Sequence, residues 1–245
     1  MLAALAVLVP VSSLLASQGA VRLKVESTKV AGEGFTAERS VPRLVVVDPK
    51  AKALVSFADG ALAAFEKARM DGWIRQARID WVDLKPLNLP NRMSYESTTK
   101  IVFNQPDLLS FRSETYRYGG GVHGIDTTHP SNFGFVNGKP ARFGIWDALK
   151  SDVASRRELQ TLLLQKAMEN PNTEWINEGM VTDFTEVQLN RFWVSERGLN
   201  FDFDPYELSS YAAGPFTFLL TFEELRPLIR SAGPIGRWGA RPGPF

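Results

Sequence analysis

The sequence predicts an α+β fold: an antiparallel sheet of hairpins with two or three packed helices. Three observations carry this. Several short runs alternate apolar and polar residues with period two. Two longer runs repeat apolar residues at helical spacing. Strand follows strand without the regular strand–helix–strand alternation that builds a doubly wound sheet.

Taken in order, residues 21–30 alternate loosely and end at Gly32-Glu33-Gly34, a turn. Residues 44–47 complete a hairpin with them. Asp48-Pro49 then starts a helix, with Asp as cap and Pro at the first helical position. Leu54, Phe57, Ala61, Leu62 and Phe65 give it one buried face, and Gly72 is a candidate end, with Trp73 and Ile74 as an extension. Residues 81–90 read as a Pro-rich connection. Residues 98–104 and 108–118 form two strands about Gln105-Pro106-Asp107, with Leu109 and Phe111 on one face and Arg112 and Glu114 on the other.

Asn137-Gly138, after the run 133–136, is the strongest hairpin turn, because both residues tolerate positive φ. A short helix is expected at 145–149 and a longer one at 151–168, where Leu159, Leu162, Leu163 and Ala167 share a stripe and Asn170-Pro171 stops it. Residues 191–195 and 199–204 make another hairpin. Its second strand alternates Leu199, Phe201 and Phe203 with Asn200, Asp202 and Asp204, which predicts one wet face. Residues 215–220 are the last strand, and Thr221 with Glu224 makes a capping box for a terminal helix.

The 245 residues carry a net charge of +1 and no basic run interleaved with aromatics, so there is no electrostatic case for nucleic acid. The absence of Cys excludes disulfides and thiolate zinc sites. Residues 2–15 are almost wholly apolar, and Ala16-Ser17-Gln18-Gly19-Ala20 supplies the small residues of a signal-peptidase site. An export leader over 1–19 is therefore expected, giving an extracytoplasmic protein (periplasmic or secreted) with no membrane span in the mature chain. The remainder divides into an N-terminal half, 20–124, a C-terminal half, 125–230, and a Gly/Pro-rich tail, 231–245, expected to be disordered.

Candidate chemistry is sparse. His123, Asp126 and His129 are spaced three apart, but in a turn-like run that fixes no metal geometry, and a loop histidine bonded to backbone is the simpler expectation. Gly119-Gly120-Gly121 follows a strand without a helix behind it, so a phosphate loop is not expected; a bulge or wide turn is. No Gly-x-Ser-x-Gly elbow is present. Asp202 and Asp204 lie about 7 Å apart on one strand face, which alternation explains as solvent-facing. A turn carrying Asp204, Pro205, Tyr206 and Tyr211 offers exposed tyrosine as an anchor for a protein or a sugar. No cofactor or metal is expected.

Two stretches carry a family resemblance. Tyr118-Gly119-Gly120-Gly121-Val122-His123-Gly124 is similar to a motif Tyr-x-Gly-Gly-Ala-His-Gly. Asp204-Pro205-Tyr206-Glu207-Leu208-Ser209-Ser210-Tyr211-Ala212-Ala213-Gly214 is similar to Asn/Asp-Pro-Tyr-Glu-Ile-Ala-Pro-Tyr-Ala-Ala-Gly, with Ser210 in place of the proline. Both motifs, in this order and spacing, resemble the extracytoplasmic domain shared by RsiV-type anti-sigma factors and PdaC-type peptidoglycan deacetylases. The resemblance implies an α+β domain outside the membrane, and in the anti-sigma members a lysozyme receptor. The sequence shows no metal-binding His/Asp motifs of a deacetylase, and no sigma-binding segment is expected ahead of the apolar run, so neither activity is expected to carry over. The expectation is a non-catalytic envelope binding module for a protein such as a lysozyme-like hydrolase, or for peptidoglycan. Its contact residues would be Tyr118, His123, Asp204, Pro205, Tyr206 and Tyr211. The alternative is an envelope hydrolase acting on peptidoglycan or a related glycan, with His123 and Asp126 or the Asp202/Asp204 pair.

Overall fold

A computed structural model describes residues 6–9, 19–87 and 92–239. The fold is α+β, as the sequence predicts. A seven-stranded sheet runs in the order β1-β2-β3-β4-β5-β6-β7: Ala6–Val9, Val21–Gly32, Phe35–Val46, Met93–Gln105, Leu108–Tyr118, Ile125–Val136 and Lys139–Arg142. Neighbours are antiparallel except β3 and β4, which pair in parallel. The parallel pair needs a crossover, and α1 (Lys52–Leu84) supplies it. The helix is entered through a single 3-10 turn, where the Asp48 side chain accepts from the Lys50 N–H and Pro49 sits at the start. It passes Gly72 without a break and ends at Leu84, so the expected connection at 81–90 begins inside the helix. Trp73 and Trp81 pack along its continuation against the sheet.

α1 covers one face of the sheet. Leu54, Val55, Ala58 and Leu62 pack with Leu109, Phe111 and Phe133; Met70, Ile74 and Ala77 pack with Phe35, Met93 and Tyr95. Between these two apolar cores Glu66 is fully buried. It accepts from Ser113 Oγ at 2.6 Å and from the Arg69 guanidinium at 2.9 Å, and Arg69 also donates to Thr115 Oγ1 at 2.7 Å.

The opposite face carries the rest of the chain: α2 (Ile145–Ala148), α3 (Val153–Met168), α4 (Glu174–Asn177), α5 (Glu186–Leu189), a small antiparallel sheet in the order β10-β9-β8, and the one-turn helices α6 (Phe222–Leu225) and α7 (Gly236–Gly239). The strands are β8, Phe192–Val194, β9, Gly198–Phe203, and β10, Phe216–Thr221. Asp152 caps α3 by accepting from the Ser155 N–H. Thr221 and Glu224 form the expected capping box, for a helix of four residues only. At Asn137-Gly138 both φ angles are positive, 51° and 74°, as the hairpin requires.

Two expectations are corrected. Every residue of β9 is buried, including Asn200 and Asp202, so the predicted wet face does not exist. That face lies against the large sheet, and Asp202 is satisfied there by Arg112 Nε at 2.7 Å, Thr217 Oγ1 at 2.7 Å and Trp193 Nε1 at 3.3 Å. Strand alternation distinguishes two faces but not water from a second polar layer. The tail expected to be disordered from Ser231 is folded as far as Gly239. Ile235 is buried, Trp238 stacks on Phe222 at 4.6 Å, and Arg237 donates to Asp107. Gly and Pro there turn the chain tightly instead of loosening it. Most of the expected leader, 1–5 and 10–18, lies outside the described residues, as does 240–245. The boundary expected at 124/125 falls in the loop between β5 and β6, adjacent strands of one sheet. No helix among the described residues is long and apolar enough to cross a membrane.

Candidate functional site

The two glycine- and tyrosine-bearing stretches meet in space. The first closes the β5–β6 loop. Tyr118 donates through its hydroxyl to the Gly121 carbonyl at 2.8 Å, and Gly120 takes φ 88°. A Cβ on Gly124 would meet the tip of the Tyr116 ring, so a larger residue there would have to displace that exposed side chain. The second stretch follows β9. The Glu207 N–H donates to the Asp204 carbonyl at 3.2 Å, which closes a four-residue turn over 204–207. Pro205 stands second and Tyr206 third, with φ 70°, the pattern of a type II turn. The third position of such a turn suits glycine; a bulky L-residue there is strained by about 1–3 kcal/mol. Tyr206 is nevertheless the residue present, and it is 48% exposed.

Arg191, just before β8, holds this turn from below, paired with both the Asp204 and Glu207 carboxylates. Asp204 also accepts from the Thr128 N–H of β6 at 2.9 Å, and its own N–H donates to Glu207 Oε2 at 2.7 Å. Burial pushes the Asp204 carboxyl above its ordinary pKa, against the pull of Arg191 and Thr128. Pro205 is buried and Tyr211 half-buried. The Tyr211 hydroxyl donates to the Gly124 carbonyl at 3.0 Å, tying the two stretches together. Its ring stacks on His123 at 4.0 Å and 22°, and Tyr206 lies 5.6 Å away on the ring of Tyr211. The result is a surface ladder of three rings in the order His123, Tyr211, Tyr206, on a braced corner.

Of the six candidate contact residues, His123, Tyr206 and Tyr211 form the ladder. Asp204 and Pro205 shape the turn beneath it, and Tyr118 braces the glycine loop. The residues considered for chemistry do not converge. His123 lies beside the Gly124 carbonyl, Nδ1 to O 3.0 Å, on the ladder, whereas His129 sits on the α1 face of β6, with Nε2 3.2 Å from Thr127 Oγ1. Asp126 is exposed. Asp202 is engaged by Arg112, and Asp204 by Arg191. Among the described residues no group of three or more His, Asp or Glu is placed to hold a metal ion.

Burial, and then Arg69, Arg117, Arg191 and Arg142, push His129 down from an ordinary 6.5 to about 3. The unfolded chain therefore binds a proton near pH 6.5 that the fold refuses until about pH 3. Stability from this group is complete above pH 6.5 and falls as pH drops toward 3, with a limiting slope of about 1.4 kcal/mol per pH unit. His129→Gln should flatten that acid limb in urea titrations at pH 7, 5 and 4. An unchanged limb would show that His129 is not the group responsible.

The fold and corner define an α+β domain with a surface aromatic ladder. Residues 128–223 match the family model described as "Protein of unknown function (DUF3298)". The match includes the Asp204–Tyr211 corner and begins after the glycine loop. The fold is similar to the crystal structure of a DUF3298 family member from Bacteroides fragilis, with a TM-score of 0.64 at 18% identity, covering 91% of this chain and 99% of that one. It is also similar to a DUF3298 family protein from Pseudomonas aeruginosa, with a TM-score of 0.54 at 13% identity, covering 88% and 96%. At these identities the likeness is one of fold. No curated protein matches the sequence.

Sequence reading missed Arg191 and Thr128 as supports of the corner, because contacts between distant parts of the chain leave no local pattern; Glu207 stands within the motif, three residues from Asp204, but its role went unread. Glu66 did leave a local pattern. It lies four residues after Leu62 and four before Met70, a charge within an apolar stripe.

Proposed function

We propose that this chain is an exported, non-catalytic binding module of the cell envelope. Its ladder of His123, Tyr211 and Tyr206 recognises a protein, such as a lysozyme-like hydrolase, or peptidoglycan itself. The observation that carries this reading is Tyr206: an exposed ring on a residue forced to φ 70°. Backbone strain persists where the surroundings impose it, and such outliers concentrate at functional sites. Stacked, braced rings offer large contact area at low entropic cost, to a protein side chain or to a sugar face.

The resemblance of both stretches to the RsiV and PdaC domains supports the same reading, as does the apolar run at 2–15 for export. Of the groups weighed for a hydrolase, Asp202 and Asp204 are paired with arginines, His123 stacks on Tyr211 and Asp126 is exposed, so no observation favours that alternative.

The test is binding of the fragment from Ala20 to immobilised lysozyme and to purified peptidoglycan. Tyr206→Ala and Tyr211→Ala are each expected to weaken the interaction at least tenfold, as for a central aromatic anchor. Binding to both ligands that is indifferent to both substitutions would remove the ladder from the contact surface.

A further inference from the structure

A cleft of about 390 Å³ opens between α1 and α5, lined by Phe65, His129, Pro130, Arg142, Val187 and Arg191 among others. We propose that this cleft binds a carboxylate carried on a short apolar body, with Arg142 as the anion-binding residue.

Arg142 ends β7, and its guanidinium lies over the Phe65 ring at 4.3 Å from the centroid. Among the described residues its one hydrogen bond is a long one, 3.4 Å, to the Pro130 carbonyl. Among the described residues no carboxylate pairs with it; the residue reaches the surface, while burial of its guanidinium lowers its pKa. A guanidinium held flat on an aromatic ring keeps its N–H edge in a fixed plane. That geometry suits a forked bond to a carboxylate.

No carboxylate forms an ion pair with this cation among the described residues, and Glu66 acts on it only at a distance. Glu66 is taken by Arg69, and Asp204 and Glu207 by Arg191. Glu186, which also lines the cleft, is taken by Arg156 and by Trp146 Nε1 at 2.6 Å. Arg191 itself has a buried Nε without a hydrogen-bond partner. Burial first, and then the charges of Arg69, Arg117, Arg191 and Arg142, keep a proton off the ring of His129 on the same wall. The field that repels a proton attracts an anion. Phe65, Pro130 and the exposed Val187 provide the apolar wall for the remainder of the ligand. One free guanidinium matches the single charge of a carboxylate better than a phosphate dianion, which calls for more donors.

This site does not depend on the ladder, and its test leaves the ladder untouched. The full chain is titrated by amide chemical shift with N-acetylalanine, with the uncharged N-acetylalanine amide, and with inorganic phosphate. The expected result is saturable binding of N-acetylalanine at the amides of Val187, Asn190 and Arg191, at least tenfold tighter than the amide. Arg142→Gln should reduce it at least tenfold. Val187→Asp, on an exposed position, should weaken it as well by placing a like charge at the mouth, and serves if Arg142→Gln does not fold. Equal binding of acid and amide, tighter binding of phosphate than of N-acetylalanine, or indifference to either substitution in a folded chain would overturn the proposal.

Discussion

Replacing Arg69 by alanine is expected to destabilise the fold by about 3–5 kcal/mol, the range for breaking a buried ion pair from one side. Glu66 would remain with no exposed surface and no paired cation, on the face of the 33-residue α1 that packs against the sheet. Ser113 and Ser97 still reach its carboxylate, at 2.6 and 3.5 Å, but two hydroxyls do not replace a guanidinium. The double replacement Glu66→Leu with Arg69→Met should recover most of the loss. The hydroxyls left behind can satisfy one another, since Thr99 already bonds Ser113 at 2.9 Å and Thr115 bonds Ser97 at 3.2 Å. Urea midpoints of the two single variants and the double variant measure the coupling. A double variant no better than the worse single one would mean that Glu66, Arg69 and the hydroxyls around them act as a unit and not as a pair.

Arg191→Ala is the second large effect, about 3 kcal/mol by the same reasoning. It strips the cation from two carboxylates at once, Asp204 and Glu207, both mostly buried. Asp204 is already pushed up by burial, so removing Arg191 should raise it further and make the variant relatively more stable as pH falls toward the carboxylate range. Arg191→Lys should recover only part of the loss, because an ammonium does not fork across two carboxylates. Since Arg191 positions the Tyr206 turn, the alanine variant should also lose ladder-dependent binding under conditions where it is still folded. Full binding in a folded Arg191→Ala protein would show that the corner keeps its shape without this brace.

Local chemistry was largely legible. Asp48-Pro49, Asn137-Gly138, the capping box at Thr221 and the hairpins sit where their residues place them, because each depends on neighbours in the chain. What depends on long-range packing was not. The helix continues through Gly72 because tertiary contact outweighs the cost of one glycine, about 1 kcal/mol. Asp202 alternates like a solvent-facing residue yet meets Arg112 from another strand of the chain, ninety positions away. The tyrosines of the candidate site were readable from the turn and the motifs that carry them. Their arrangement as a ladder was not, since it needs the Tyr211 hydroxyl to find the Gly124 carbonyl 87 residues earlier.

The most direct measurement pairs stability with binding in Tyr206→Gly. Glycine accepts φ 70° without strain, so the substitution should leave thermal stability unchanged or raise it by up to about 1 kcal/mol, even though a ring contact is lost. Binding to lysozyme or to peptidoglycan should fall at least tenfold in the same protein. A variant that unfolds more readily while binding normally would mean that Tyr206 is kept to hold the turn together, and would contradict its assignment as a contact residue.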